Sequence, residues 1–420
     1  MRNVTGNVRV GGAVISIHSN IRISQCKFEN NTAEIGGDIF TEEFSKITIF
    51  NSTFTGDTSG AGKRSSFGGS IFSDESDILI SECQLNDNYA TVGGAIASSL
   101  SNFTIDRSTF FLNSAYDHGG VLFAYNSSIA VNDSNFEHNI AGGGGAVNMY
   151  EGTIDITTSR FISNIAERHA GALDLYRGTS NIKACLFKNN SAYSFGGAVL
   201  FWFSSSNMYG TKVTDAEVQA SDVNTTYCYS MNKCDGATVG ANNTSMFASD
   251  NEIHFISNNA PIGAAYYAIR STVISCGRVF FSNNAASLYS FVYFLDSDGY
   301  FVGSTVMSQN LGSFLAFNSN ITFSGCTKFV NCSPPQNTSA NFKEGGALTL
   351  FQSTLTFQGM CRLENNHAEI GGAIVGTESK LYLNDEVTIT NNKAAKSGGG
   401  LYLSQSELNS LQESLSLIHI

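Results

Sequence analysis

The stretch CKFENNTAEIGGDIF, Cys26 to Phe40, returns with small changes as CLFKNNSAYSFGGAVLF at 185–201 and as CRLENNHAEIGGAIV at 361–375. In each copy an apolar residue stands three places before an Asn and five before an Ala. The same three-point template occurs ten times, with its Asn at Asn31, Asn88, Asn113, Asn139, Asn164, Asn190, Asn258, Asn283, Asn366 and Asn392. Weaker copies stand at Phe54/Asp57 and Met307/Asn310, and one at Phe329 carries Cys332 in the Asn place. The usual step is 25 or 26 residues, a period that marks one structural unit stacked many times.

Before each apolar residue lies a short alternating run such as NIRI (20–23), DILI (77–80) or TIDI (153–156), and period two means a strand. After the Ala comes Gly-Gly and then a third apolar run, such as AVLF at 198–201. No segment has a helical period, and no turn carries the Asn-Gly dipeptide of a tight hairpin. Strands that cannot pair as hairpins must pair with their equivalents one repeat later. The expectation is an all-β fold: a right-handed, single-stranded parallel β-helix (a β-solenoid) with three short strands per coil. About 13 coils at about 4.8 Å each predict a monomeric rod on the order of 60 Å long.

The repeat domain is expected to span 1–410, with loop insertions near 55–66 and 201–250. Residues 411–420 read as a non-repeat tail, because SLSLIHI (414–420) breaks the period and looks like translated sequencing adaptor. The opening MRNVTGNVRVGGAV has no apolar leader core and falls at once into a repeat, so a fragment open at both ends is expected.

Two words of the repeat have architectural readings. Asn tolerates a left-handed bend and can bond the same amide one coil above, making a ladder. Gly-Gly suits a bend that needs positive φ or a close backbone approach. Stacked Phe and Leu form the core, and Ala stands where only a small side chain fits.

Charged residues make up only 14% of the chain, Gly is abundant at 41, and the formal net charge is −12. Such a chain buries a large apolar surface, and with no basic stripe it is not a nucleic-acid binder. No apolar run is long enough for a membrane-spanning helix. Nine cysteines and thirteen N-x-S/T sequons point to an exported glycoprotein.

Parallel β-helices of the pectin-lyase type host polysaccharide enzymes, which need clustered carboxylates in one groove. The acids here, among them Glu29, Asp74, Asp77, Asp106, Glu137 and Asp155, do not stack at one repeat position, so no catalytic residue is nominated. His118 and His169 stand just before the glycines of coils two steps apart. That spacing predicts about 9–10 Å between them, too far to share a metal, and no metal or cofactor site is expected. TSGAGKRSS (58–66) resembles a phosphate loop but has Asp57 and Arg64 where Gly and Ser or Thr are needed, so it reads as a bulged loop.

Cys26, Cys83, Cys185 and Cys361 stand two before the ladder Phe or Leu and are expected to pack as small buried hydrophobes. Cys228 and Cys234, close together in the long insertion, suit a local disulfide, and Cys326 with Cys332 is a weaker pair of the same step. The insertion and its approach carry the only Trp, Trp202, with Tyr209, Tyr227 and Tyr229 as candidate ligand-contacting residues. The competing reading is that Phe201 to Phe203 merely finish a strand with one ring inside.

The pairing of Phe-x-x-Asn with Gly-Gly-Ala-(Ile/Val/Leu), seen as FENN…GGDI at 28–39, FKNN…GGAV at 187–199 and LENN…GGAI at 363–374, resembles the repeat of the polymorphic outer membrane proteins. The resemblance covers nearly the whole chain except about 201–250 and 286–345. It implies a β-helical protein of the cell surface, adhesin-like and non-enzymatic, with a cell-surface protein or carbohydrate as partner. A polysaccharide lyase or hydrolase, and a purely structural wall or matrix protein, are the alternatives. The bacterial family ends in a membrane β-barrel, which this chain lacks.

Overall fold

The computed structural model describes residues 9–56, 65–209, 252–335, 344–410 and 415–418. These residues are all-β, without a helix among them. They fall into two compact units, 1–181 with 186–205 and 182–185 with 206–420. Each is a right-handed parallel β-solenoid, and together they hold about 13 turns.

In the first unit every strand lies beside its equivalent one repeat later. Leu122–Asn132 runs parallel to Val147–Thr157, and Asn135–Glu137 to Arg160–Ile162. This register stacks like on like. The rings of Phe136 and Phe161 lie 4.7 Å apart and 7° from parallel, and Phe161 sits 5.0 Å from Phe187. All three are fully buried. Offset stacking of this kind contributes about 0.5–1.5 kcal/mol per pair beyond simple burial. The second unit repeats the device with Phe255 on Phe281 at 5.0 Å and Phe301 on Phe323 at 4.8 Å.

The Asn residues form a buried ladder whose hydrogen bonds close completely. Asn139 Nδ2 donates to Asn164 Oδ1 (2.9 Å) and to the carbonyl of Phe110 (3.2 Å). Asn139 Oδ1 in turn accepts from both the backbone N–H (2.9 Å) and the Nδ2 (3.1 Å) of Asn113. Two donors and two acceptor sites are all an amide has, and all four are used. Asn88, Asn113, Asn164 and Asn190 continue the row. In the second unit it runs through Asn258, Asn284 and Asn310, and again from Asn366 to Asn392. Asn283 is not in it. The template slips by one there: Phe281, not Phe280, pairs with Phe255, so Asn284 points inward and Asn283 takes the corner.

That corner also corrects the reason given for Asn. The left-handed residue is the one before the ladder Asn, namely Asp87, Leu112, His138, Ser163 or Asn189, with φ of 54–57°. Asn recurs for its amide, not for its backbone. The two glycines divide their work in the same way. Gly144 has φ of +62°, and Ala170 holds the same conformation one coil later. Gly145 has ordinary φ, but a Cβ there would come 2.2 Å from the carbonyl oxygen of Gly171.

Serine rows, not foreseen from the repeat, brace two other corners. Ser101 Oγ accepts from the backbone N–H of Ser76 (3.1 Å), and Ser127 Oγ from that of Ser101 (3.2 Å). Ser108, Ser134 and Ser159 make a second row of this kind. In the second unit Ser271, Ser297, Ser319, Ser353 and Ser379 make another. There the strands Thr272–Ser282, Asp298–Ser308 and Asn320–Val330 begin just after that serine row and then continue unbroken for eleven residues each. Leu415–Ile418, assigned from sequence to a non-repeat tail, pairs in parallel with Val387–Thr390, as its own alternation allows.

Near the start of the first unit, Asp38 takes the place held elsewhere by small residues and accepts from Asn31 Nδ2 (2.8 Å). Burial pushes its carboxyl up to about 7, against the hydrogen bonds from Asn31 and Ser70 that pull it down. A raised folded value means the folded state holds the proton more tightly. This contribution to stability is therefore full below about 3.8 and is lost as pH rises toward about 7.

Three outcomes are expected in thermal or urea unfolding. Asn139→Leu should lose about 1–3 kcal/mol, because four bonds open and backbone partners stay buried. Gly145→Ala should cost more than Gly144→Ala. Asp38→Asn should gain on the parent progressively from about pH 4 to about pH 7 and no further above it.

Candidate functional site

The strands that follow Gly-Gly alternate inward and outward, and the fifth residue after the second glycine faces out. In four successive coils that place holds Tyr125, Tyr150, Tyr176 and Trp202, each preceded by a buried Ala124, Met149, Leu175 or Phe201. The register sets the four outward rings in a row. Tyr125 and Tyr150 are stacked at 5.8 Å, and Tyr150 and Tyr176 at 4.6 Å. Trp202 breaks the stack, lying 5.9 Å from Tyr176 with its plane turned 61°. Phe203, in the left-handed conformation with φ of 53°, stacks on Trp202 at 6.4 Å.

The geometry decides what this surface offers. Within the tyrosine stack the ring faces are used on one another, which leaves the ring edges for contact with solvent. At Trp202 the turned indole brings a different aromatic surface to the end of the row. Arg177 lies over Tyr176 at 5.3 Å and reaches Glu151 at 3.8 Å, adding a charged pair to its flank. Tyr125 is 43% exposed and Phe203 38%, so the row is open to solvent at both ends. Aromatic side chains with a polar tip are the residues that recognition surfaces favour.

Residues 11–184 match the right handed beta helix region family, and residues 386–404 match the Chlamydia polymorphic membrane protein repeat. These two matches, with the parallel solenoid, support a Pmp-like β-helix repeat protein. Among curated proteins, the Metabotropic glutamate receptor-like protein R of Dictyostelium discoideum is 27% identical over 130 residues. That match covers 31% of this chain and 8% of the relative. No solved structure matches.

Of the residues singled out in the sequence of this Pmp-like chain, Trp202 stands in the row and Tyr209 ends the strand Ser205–Tyr209. Tyr227, Tyr229, Cys228 and Cys234 lie outside the described residues. The strand Val199–Trp202 ends with the Phe201 ring in the core, as the competing reading has it, while Trp202 faces out. Tyr125, Tyr150 and Tyr176 were missed, although their common distance from Gly-Gly was there to be read.

Cys83, Cys185 and Cys361 are buried free thiols, but Cys26 is exposed, because it lies in a coil near the start of the stack. Burial pushes the thiols of Cys83 and Cys361 up, and that of Cys332 to about 11. The Cys326–Cys332 pair does not form: Cys332 is a free thiol packed in the ladder row, whereas Cys276 and Cys326 are oxidised in disulfides. Several acids are tied to the next coil rather than to a common point, as Asp77 to Asn102 (2.8 Å) and Asp155 to Asn181 (2.6 Å). Among the described residues no group of three His, Cys, Asp or Glu side chains is placed to hold a metal ion. His118 and His169 lean toward each other over Gly143, closer than coil spacing alone predicts.

Proposed function

We propose that this Pmp-like chain is a non-enzymatic, surface-displayed, adhesin-like protein that binds a cell-surface protein or glycan through the Tyr125–Tyr150–Tyr176–Trp202 row. The observation that carries the reading is the row itself. The core needs the residue before each ring and has no use for the ring, yet four coils in succession place an aromatic outside. The polymorphic membrane protein repeat supports a surface location, since that family is associated with the outer-membrane surface. No helix among the described residues is long and apolar enough to cross a membrane. The catalytic reading on the same scaffold would require carboxylates converging on one groove, and the exposed acids described above bond to neighbouring coils instead.

The test is binding of the purified full chain to intact cells, with and without protease or glycosidase treatment of those cells. Replacing Tyr176 and Trp202 together by Ala should weaken binding about tenfold or more, as truncation of paired aromatic anchors does, with unchanged unfolding temperature. Loss of binding after one cell treatment identifies the partner's class. Equal binding by parent and variant, or no binding by the parent, overturns the proposal.

A further inference from the structure

The sequence AGGGGA at 141–146 removes two side chains, at Gly142 and Gly143, from a column that is filled in the coils on either side. Side chains two coils apart therefore meet across it. Arg168 Nη2 reaches over Gly142 to the Asp117 carboxylate and to the Asp117 carbonyl (3.1 Å). The imidazoles of His118 and His169 close over Gly143, each with its Nδ1 3.2 Å from where a Cβ would stand.

Beneath them lie Asn148 and Asp174, both buried, on the strands that carry Tyr150 and Tyr176 two residues later. Asn148 Nδ2 donates to Asp174 Oδ2 (2.8 Å) and faces His118 Nδ1 (3.4 Å). A carboxylate only accepts, so the amide nitrogen must face Asp174, and its second proton points at His118. His118 must then offer a bare Nδ1 and carry its proton on Nε2, which is 3.5 Å from Asp117. His169 Nδ1 is buried 3.0 Å from Asp174 Oδ2, close enough for charge to act between them but not aligned for a hydrogen bond. Phe123 and Phe195 flank the two imidazoles.

We propose that His118, Asn148, His169 and Asp174 form a proton-operated clasp beside the tyrosine row. The clasp steadies the row's flank at neutral pH and loosens it in acid. Protonation of His118 puts an N–H at Nδ1, opposite the N–H of Asn148, so the link becomes two donors with no acceptor. It also changes the local charge. The neutral cluster sets Arg168 against Asp117 and Asp174. With His118 charged, a second cation joins Arg168 at the same two carboxylates, with Glu167 the remaining acid on that strand and Glu151 and Arg177 flanking the tyrosines. Gly142 and Gly143 contribute no charge from the intervening coil.

Burial lowers the His118 value below the ordinary 6.5, and Asp117 and Asp174 pull it back only in part. A lowered folded value means the unfolded chain takes up the proton first. Stability is then lost as pH falls through about 6.5 toward the folded value. If the row is the binding surface, as proposed above, the clasp makes binding acid-labile, but the clasp is testable without any ligand.

Trp202 is the only tryptophan and lies against Tyr176, so its emission reports the row directly. On taking the full chain from about pH 7.5 to about pH 5, Trp202 emission should shift and the unfolding temperature should drop, with a midpoint below that of ordinary histidine. His118→Asn keeps an acceptor but does not titrate, and should abolish the shift and flatten the drop relative to the parent. A proton titration of the His118 ring in the unaltered chain, followed by NMR, should give a value below that of a free histidine. The same pH response in parent and variant, or a His118 value at or above the free one, overturns the clasp.

Discussion

The interaction on which everything else rests is the complete closure of the Asn side-chain amide between coils. Backbone pairing alone would let one coil slide along the next by two residues with little loss, since apolar residues alternate along every strand. The ladder forbids that. An amide that must give two hydrogen bonds and accept two, to partners in the coils before and after, can do so in one register only. Once that register is set, Phe falls on Phe and each outward residue falls beside its equivalent. The tyrosine row is therefore a by-product of a constraint located inside the protein.

Where the constraint relaxes, the chain shows it. At Cys332 the row loses its amide, and a buried thiol takes the space. At Asp38 a carboxyl accepts the bond that an Asn would otherwise have accepted, and burial makes it hold a proton up to about 7. Cys332 stands in a weak copy of the template, and the copy that follows the one holding Asp38, at Phe54/Asp57, is weak as well. Neither interrupts the parallel pairing on the adjoining strands.

The fold was legible because the repeat was spelled ten times with the same spacing, and the period left parallel stacking as the consistent solution. The identity of the ladder residue was legible too, but its register at 283–284 was not. Two adjacent asparagines and two adjacent phenylalanines fit the template equally well, and only the inward turn of Phe281 separates them. The serine rows escaped because Ser is common throughout the chain and carries no distinctive spacing by eye. The site escaped for a different reason. Aromatics at Tyr125, Tyr150 and Tyr176 look unrelated in sequence until the Gly-Gly pairs are aligned, whereas the aromatics of the long insertion stand close together in one stretch. Histidines two coils apart were judged by coil height, which ignores the reach that two missing side chains permit.

The left-handed corner before each ladder Asn has a last implication. Leu112, His138 and Ser163 occupy a backbone shape that an L-residue adopts only under compulsion, at a cost of about 1–3 kcal/mol each. Neighbouring coils supply that compulsion, and in return they leave the identity of the residue open. The corners thus form an edge along which mutation can wander without disturbing the winding, so that related chains can differ there in outline while their interiors stay interchangeable.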